Sequence, residues 1–136
     1  MEEAICCSEQ AAPVLRSSIP ARLRKSQECM VALALDSRNR PIGRAYLVAV
    51  GTLGSVEVHP RDVFRTVIRR NAASVIIGHN HPSGELTPSP DDARLTERLM
   101  RGADLLGIGL LDHIIIGQDG HVSMADRGLL PGGEKL

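Results

Sequence analysis

Two histidines and an aspartate lie close together in the segment that begins at Gly78. His79 and His81 are two residues apart, and Asp92 follows after a Pro-Ser-Gly turn and Ser89. Two imidazoles and one carboxylate can hold a divalent cation and leave one coordination position open for a water molecule. Zn²⁺ suits these ligands, and it would lower the pKa of such a water toward about 7. The segment therefore predicts a catalytic site for one zinc ion.

A short, largely apolar strand, 74–78, precedes the two histidines. An uninterrupted apolar run is typical of a strand in a sheet that is covered on both faces. Side chains two positions apart on a strand share a face, so His79 and His81 should project together. Ligand sites in open α/β sheets collect at the carboxyl ends of strands, and the pair stands at such an end.

The carboxylate comes from a different element, a helix that is predicted to begin at Pro90 and to end near Leu106, before Gly107. At 100° per residue, Asp92 lies roughly 30° from the centre of the apolar stripe of this helix, whereas Asp91 lies roughly 70° away. We therefore expect Asp92 to be the carboxylate that faces inward.

The same residues are also compatible with an ordinary helix start. Serine is a good N-cap, proline suits the first helical position, and acids in the first turn complement the helix dipole. Two histidines on one strand can likewise have a purely structural role. The helix-start explanation and the structural role for the histidines would both have to hold, one on each side of a single Pro-Ser-Gly turn. The combination therefore favours a metal site.

A catalytic site of this kind also needs a proton acceptor beside the water, usually a Glu or Asp that does not bind the metal. The main candidates are Glu28, Glu57 and Glu85. Glu28 stands directly before a buried strand, where its carboxylate could reach into a cleft at the end of the sheet. An ion pair with Arg24 or Lys25 is the alternative role for Glu28.

Other polar side chains receive structural interpretations. Asp112 and His113 lie inside the last long strand, where hydrogen bonding within the fold is the favoured role. Arg61, Arg65 and Arg69 are spaced to form one solvated face of a helix.

The remaining pattern predicts an α/β domain with a mixed sheet flanked by helices. Strands are expected at 29–35, 42–50, 74–78, 108–116 and 121–124, the first two as an antiparallel hairpin, and helices at 60–70 and 90–106. We expect residues 1–8 to fray and 11–25 to be weakly helical with breaks at Pro13 and Pro20. Residues 51–58 are expected to form a loop or an edge strand.

Composition narrows the class of protein. With 136 residues and 43% apolar content, the chain suits one domain, whose core must be aliphatic because Tyr46 and Phe64 are the only aromatic residues. Sixteen basic and sixteen acidic residues cancel, which argues against nonspecific DNA binding. No apolar run is long enough to span a membrane, and no secretory leader is apparent. Cys6, Cys7 and Cys29 form no CxxC pair, so we expect a reducing cytoplasm.

The run 79–84, followed by Ser89 and Asp92, resembles the JAMM motif, also called MPN+, in the form found in RadC-like proteins. That motif consists of a distant upstream Glu, then His-x-His-Pro, a six-residue spacer and Ser-x-x-Asp, and this chain fits the spacing without a gap. Segments 111–115 and 123–128 also resemble the family, and the match covers roughly residues 20–130.

The resemblance implies a single JAB/MPN-type α/β domain at 20–130, with a partly flexible segment at 1–19 and a flexible tail at 131–136. It also implies a zinc-dependent hydrolase that cleaves a peptide or isopeptide bond in a peptide or protein substrate. In such an enzyme the zinc ligands would be His79, His81 and Asp92. The upstream Glu that activates the water would be Glu28, and the serine that helps to stabilise the oxyanion would be Ser89.

Two departures from the family pattern are Met30 and Met124, which stand where aromatic residues are expected. Longer members also carry an N-terminal helical region of DNA-binding type, for which this sequence has no room. The alternative function is a non-catalytic DNA-repair-associated or protein-interaction module that retains the metal site. A nuclease, a zinc deaminase and a non-haem iron oxygenase fit less well. The HNH-nuclease spacing, the Pro-Cys-x-x-Cys pair and an acid close behind the first histidine are all missing.

Overall fold

The structure is a computed structural model that describes residues 3–51 and 57–130. These residues form an α/β domain with a mixed sheet, as the sequence predicts. In chain order the elements are α1 (Ser8–Ser17), β1 (Cys29–Leu35), β2 (Tyr46–Val50), α2 (Pro60–Arg69), β3 (Ser74–Asn80), α3 (Pro90–Leu106), β4 (Gly109–Ile116) and β5 (His121–Ser123).

The sheet has the strand order β2-β1-β3-β4-β5, with β3 in the middle. β3 and β4 are parallel and are joined through α3, whereas the other neighbouring strands are antiparallel. α1 packs against one face of the sheet, and α2 and α3 pack against the other. All seven residues of β3 are buried, which confirms that its apolar run belongs to a strand covered on both faces.

Strand pairing brings distant residues to the carboxyl end of β3. β1 runs antiparallel to β3 with Met30 opposite His79, so the same register directs Glu28 toward His81. β4 contains a bulge, because Val75 pairs with Leu110 while Ile76 pairs with Asp112, which leaves Leu111 as an extra residue.

The second strand is shorter than the sequence predicts. β2 begins at Tyr46, not at residue 42, although its antiparallel pairing with β1 is confirmed. The Arg70 guanidinium donates hydrogen bonds to the carbonyl oxygens of Ile42 and Arg44, at 2.9 and 2.8 Å. Gly43 between them has a φ of +75°, which is incompatible with a strand. The Arg70 side chain, at the C-cap of α2, therefore binds the carbonyl oxygens that precede β2, while the Ile42 backbone N–H still donates to the Ala34 carbonyl at 2.9 Å.

The expected break at Pro13 is also wrong, because α1 continues through it. Its apolar face, which includes Leu15, packs in the core, and this burial outweighs the hydrogen bond lost at the proline. Fraying does not extend to Ile5, which is 6% exposed and donates its backbone N–H to the Asn39 carbonyl at 2.7 Å. After Pro20 the chain forms hydrogen-bonded turns. The domain boundary at 19/20 stays a prediction.

Two other expectations concern residues that the structure does not describe. The loop or edge strand expected at 51–58 includes residues 52–56, and the expected flexible tail comprises residues 131–136. Within 3–51 and 57–130, no helix combines the length and the apolar character needed to cross a membrane.

Candidate metal centre

Three side chains converge at the carboxyl end of β3. His79 lies in β3, His81 directly follows it, and Asp92 lies in the first turn of α3. The two Nε2 atoms are 2.8 Å apart, and they lie 3.1 Å (His79) and 3.2 Å (His81) from the Asp92 carboxylate oxygens. Asp92 is buried while Asp91 is exposed, as the helical phase predicts. The structure therefore brings together the three residues that the sequence proposes as ligands.

The donor set can be tested against the needs of a cation. His81 Nδ1 lies 2.6 Å from the Glu85 carbonyl oxygen, which can only accept a hydrogen bond, so Nδ1 carries a proton. In the neutral ring, Nε2 then directs a lone pair at His79 Nε2 and Asp92. Ligands around a four-coordinate zinc at about 2.0–2.1 Å are separated by roughly 3.3 Å. The observed separations of 2.8–3.2 Å are close to that value, so these residues fit one zinc ion.

The pKa shifts of Asp92 and His81 also indicate that the site favours positive charge. Burial alone would raise the pKa of Asp92, but His79 and His81, whose protonated rings can hydrogen-bond its carboxylate, outweigh burial and hold that pKa well below its usual range. The hydrogen bond to the Asp92 carboxylate also raises the pKa of His81. Asp92 is thus an anion at neutral pH, and its charge favours a positive charge beside it, either a proton on an imidazole or a metal ion.

A reciprocal cap orients the aspartate. The Ser89 backbone N–H donates to Asp92 Oδ2 at 2.7 Å, and the Asp92 backbone N–H donates to Ser89 Oγ at 3.1 Å. This capping box starts α3 and at the same time fixes the Asp92 carboxylate beside the histidines. The helix-start explanation and the metal-site explanation are therefore compatible.

Glu28 is the second carboxylate at the site. Its Oε1 lies 3.8 Å from His81 Nε2, and Glu28, His79 and His81 each offer a ligand atom within 4.8 Å of the others. The ion pairs of the described residues do not join Glu28 to Arg24 or Lys25, so that alternative is not observed.

The other two carboxylate candidates lie elsewhere. The side chain of Glu57 is 91% exposed and lies 4.0 Å from His59. The carboxylate of Glu85 is exposed and accepts a hydrogen bond from the Thr87 hydroxyl. Glu28 is therefore the base candidate that the structure places directly beside the imidazoles, although its role stays a prediction.

An open cleft of about 1010 Å³ runs along the site. Glu28, His81 and Ser89 line it, together with Ser83 and Thr87 from the loop between β3 and α3. Its volume lies at the upper end of the range of small-molecule pockets, and its open form would admit a length of polypeptide.

Asn80 supports the backbone beside the site, a role that the sequence did not reveal. Its side chain points to the face opposite the histidines, where Oδ1 accepts from the Cys29 backbone N–H at 2.7 Å. Nδ2 donates to the carbonyl oxygens of Arg24 at 3.0 Å and Gln27 at 2.9 Å. These three bonds hold the backbone on both sides of Glu28. The alternation along a strand could have shown that Asn80 faces away from the histidines, but not which backbone it meets.

We expect Asn80→Ala to lower the free energy of unfolding by about 2–4 kcal/mol, because three backbone groups lose their partner, among them the buried Cys29 N–H. Urea unfolding followed by circular dichroism measures the change. Gln118→Ala, at an exposed position in a turn, is the matched control and should change stability by less than about 0.5 kcal/mol. Equal urea midpoints for Asn80→Ala and the parent would contradict this role.

Asp112 and His113 are both fully buried but have different partners. Asp112 accepts hydrogen bonds from the Ser123 hydroxyl and from the backbone of His113 and Ala125, which confirms its structural role. His113 Nε2 lies 2.7 Å from His79 Nδ1, so it contacts a predicted ligand, which the sequence had not suggested. Burial lowers the pKa of His113 well below its usual range, and the ring is therefore neutral.

The amino-acid sequence of this chain is similar to those of known proteins. The sequence profile described as "RadC-like JAB domain" matches residues 5–129. A UPF0758 protein of Syntrophotalea carbinolica is 50% identical over 110 residues, which are 80% of this chain and 48% of that protein. A UPF0758 protein of Desulforamulus reducens is 46% identical over 104 residues, which are 76% of this chain and 45% of that protein.

A third relative gives a similar match. A UPF0758 protein of Methanosarcina barkeri is 42% identical over 111 residues, which are 82% of this chain and 48% of that protein. The chain therefore spans about half the length of the curated relatives it matches. The names of these relatives state no activity.

Proposed function

Because the chain belongs to the family of RadC-like JAB domains, we propose that it is a zinc-dependent hydrolase that cleaves peptide or isopeptide bonds. One observation carries this proposal: the Nε2 atoms of His79 and His81 and the carboxylate oxygens of Asp92 lie within 3.2 Å of one another, beside an open cleft that also contains Glu28. The substrate class proposed is a peptide or protein whose chain lies in that cleft.

When bound, a zinc ion would act as a Lewis acid that acidifies a water molecule and polarises the scissile carbonyl. We assign the ligand role to Asp92 because it lies nearer to both imidazoles than Glu28 does and is held by Ser89. Glu28 then accepts the proton of the attacking water at Oε1 and transfers it to the leaving amine. Ser89 Oγ accepts only the Asp92 N–H among its described hydrogen bonds, so its own proton can be donated to the developing oxyanion.

The free thiols among the described residues, Cys6, Cys7 and Cys29, support the proposal of a cytoplasmic protein. A non-catalytic module that retains a metal site is the alternative to an enzyme. It would bind zinc equally well and would differ only in failing to hydrolyse a substrate.

Removal and return of zinc test the proposal. A chelator should abolish cleavage of a mixed peptide library, measured by mass spectrometry, and Zn²⁺ should restore it. Zinc at about 100 times its Kd should stabilise the protein by about 2.7 kcal/mol and raise the Tm by roughly 8 °C. Mg²⁺ is the control, and it should do neither because it prefers oxygen ligands. Undiminished cleavage after chelation would exclude zinc catalysis, and zinc binding without any cleavage would favour the non-catalytic module.

A further inference from the structure

A chain of buried hydrogen bonds begins behind His79, on the side away from the cleft. His79 Nδ1 lies 2.7 Å from His113 Nε2, and His113 Nδ1 lies 2.6 Å from Thr96 Oγ1. Thr96 Oγ1 lies 2.7 Å from the backbone carbonyl oxygen of Asp92. The three side chains that form this chain are at most 1% exposed, so each ring nitrogen on it must satisfy its hydrogen bond within the protein.

The acceptor at the end of this series of hydrogen bonds determines which atom donates in each of them. The Asp92 carbonyl can only accept, so the Thr96 hydroxyl donates to it, in preference to the weak Met124 Sδ acceptor at 3.7 Å. Thr96 Oγ1 then accepts from His113 Nδ1–H. The His113 ring is fully buried and its two nitrogens face a hydroxyl and an imidazole, with no carboxylate to balance a charge, so its Nε2 carries a lone pair and accepts from His79 Nδ1–H.

We propose that His113 is a positioning residue that fixes the Nδ1–H tautomer of His79, so that His79 Nε2 presents its lone pair to the metal. This inference rests on the proposed metal site but not on hydrolysis. In the opposite tautomer, a proton on His79 Nε2 would occupy the space between Asp92 and His81 that the cation needs. The backbone carbonyl of Glu85 likewise fixes the tautomer of His81, because it accepts a hydrogen bond from His81 Nδ1–H.

A neutral imidazole is an unusual partner for a histidine ligand, because such ligands commonly donate to a carboxylate, a backbone carbonyl or a water. A carboxylate at this position would add a further negative charge near the metal, beyond those of Asp92 and Glu28. With His113 as the acceptor, Asp92 is the one anion in the proposed ligand set, so the three ligands with a divalent cation would carry a net positive charge. The arrangement favours polarisation of a bound carbonyl.

The test uses a substitution that removes the acceptor but keeps much of the volume. In His113→Leu, zinc affinity measured by competition with a chelator should fall about 10–100-fold. Thr96→Val should also weaken binding, since it frees His113 to adopt either tautomer. His113→Gln should restore part of the affinity, because the amide offers both an acceptor and a donor. His121→Leu, the same change at a partly exposed histidine, should leave zinc affinity unchanged.

A second readout reports the proton itself. Long-range ¹H–¹⁵N spectra of the intact protein should show His79 with a protonated Nδ1 that exchanges slowly with solvent, and faster exchange in His113→Leu. In the zinc-loaded parent, His79 Nε2 should carry no proton. Parent-like zinc affinity and exchange in His113→Leu would overturn the inference. If the parent bound no zinc, the proposed function would fail, while exchange at His79 Nδ1 would still decide the role of His113.

Discussion

Replacement of Asp92 by Asn should produce a folded protein that has lost its zinc. The amide oxygen can still accept the Ser89 backbone N–H, so the start of α3 is retained. The variant lacks the negative charge that lies 3.1 Å from His79 Nε2 and 3.2 Å from His81 Nε2. Zinc affinity should fall by more than about 100-fold, beyond the loss typical of changes outside the ligand shell. Elemental analysis after dialysis should show less than about a tenth of the parent's metal content.

Asp91→Asn is the matched control for this experiment. It makes the same chemical change one residue away, on an exposed side chain whose described partner is Arg94. Its metal content should equal that of the parent. His79→Ala should deplete zinc as Asp92→Asn does, and full metal content in both variants would reject the ligand set.

Replacement of Glu28 by Gln should separate metal binding from catalysis. The amide keeps the shape of the side chain but cannot accept a proton, so hydrolysis should fall roughly 10²–10⁴-fold while zinc content is unchanged. Initial rates on a peptide identified from the mixed library, with metal content measured on the same sample, give both quantities.

Glu85→Gln is the control for Glu28→Gln, because Glu85 lines the same cleft but is exposed. Its cleavage rate should stay within a few fold of the parent rate. A Glu28→Gln variant that cleaves as fast as the parent would show that another group is the base. Loss of zinc from that variant would instead make Glu28 the third ligand, in the set that it forms with His79 and His81.

Local sequence signals predicted much of the site. The two-residue spacing placed His79 and His81 side by side, and the helical phase separated Asp92 from Asp91. Each of these inferences needed only the residue periodicity of a single element, the strand for the histidines and the helix for the aspartates. The position of Glu28 required more, since it depends on the antiparallel pairing of β1 with β3.

Features that depend on distant contacts were missed for that reason. Spacing alone could not reveal that Arg70 would bond the carbonyls before β2, or that Asn80 would hold the backbone around Glu28. The role of His113 was hidden in the same way. Its side chain meets Thr96 and His79 only after β4 has paired with β3 and α3 has packed over both.

The bulge at Leu111 has a consequence for how related sequences should be aligned. Leu110 and His113 are an odd number of positions apart, yet Leu110 packs beneath α3 and His113 bonds to Thr96 on the same helix. A regular strand would send one of them to the opposite side. A homologous chain with one residue fewer at Leu111 could keep both orientations by forming an unbroken strand. A single-residue gap at this point therefore need not mean that the histidine has moved.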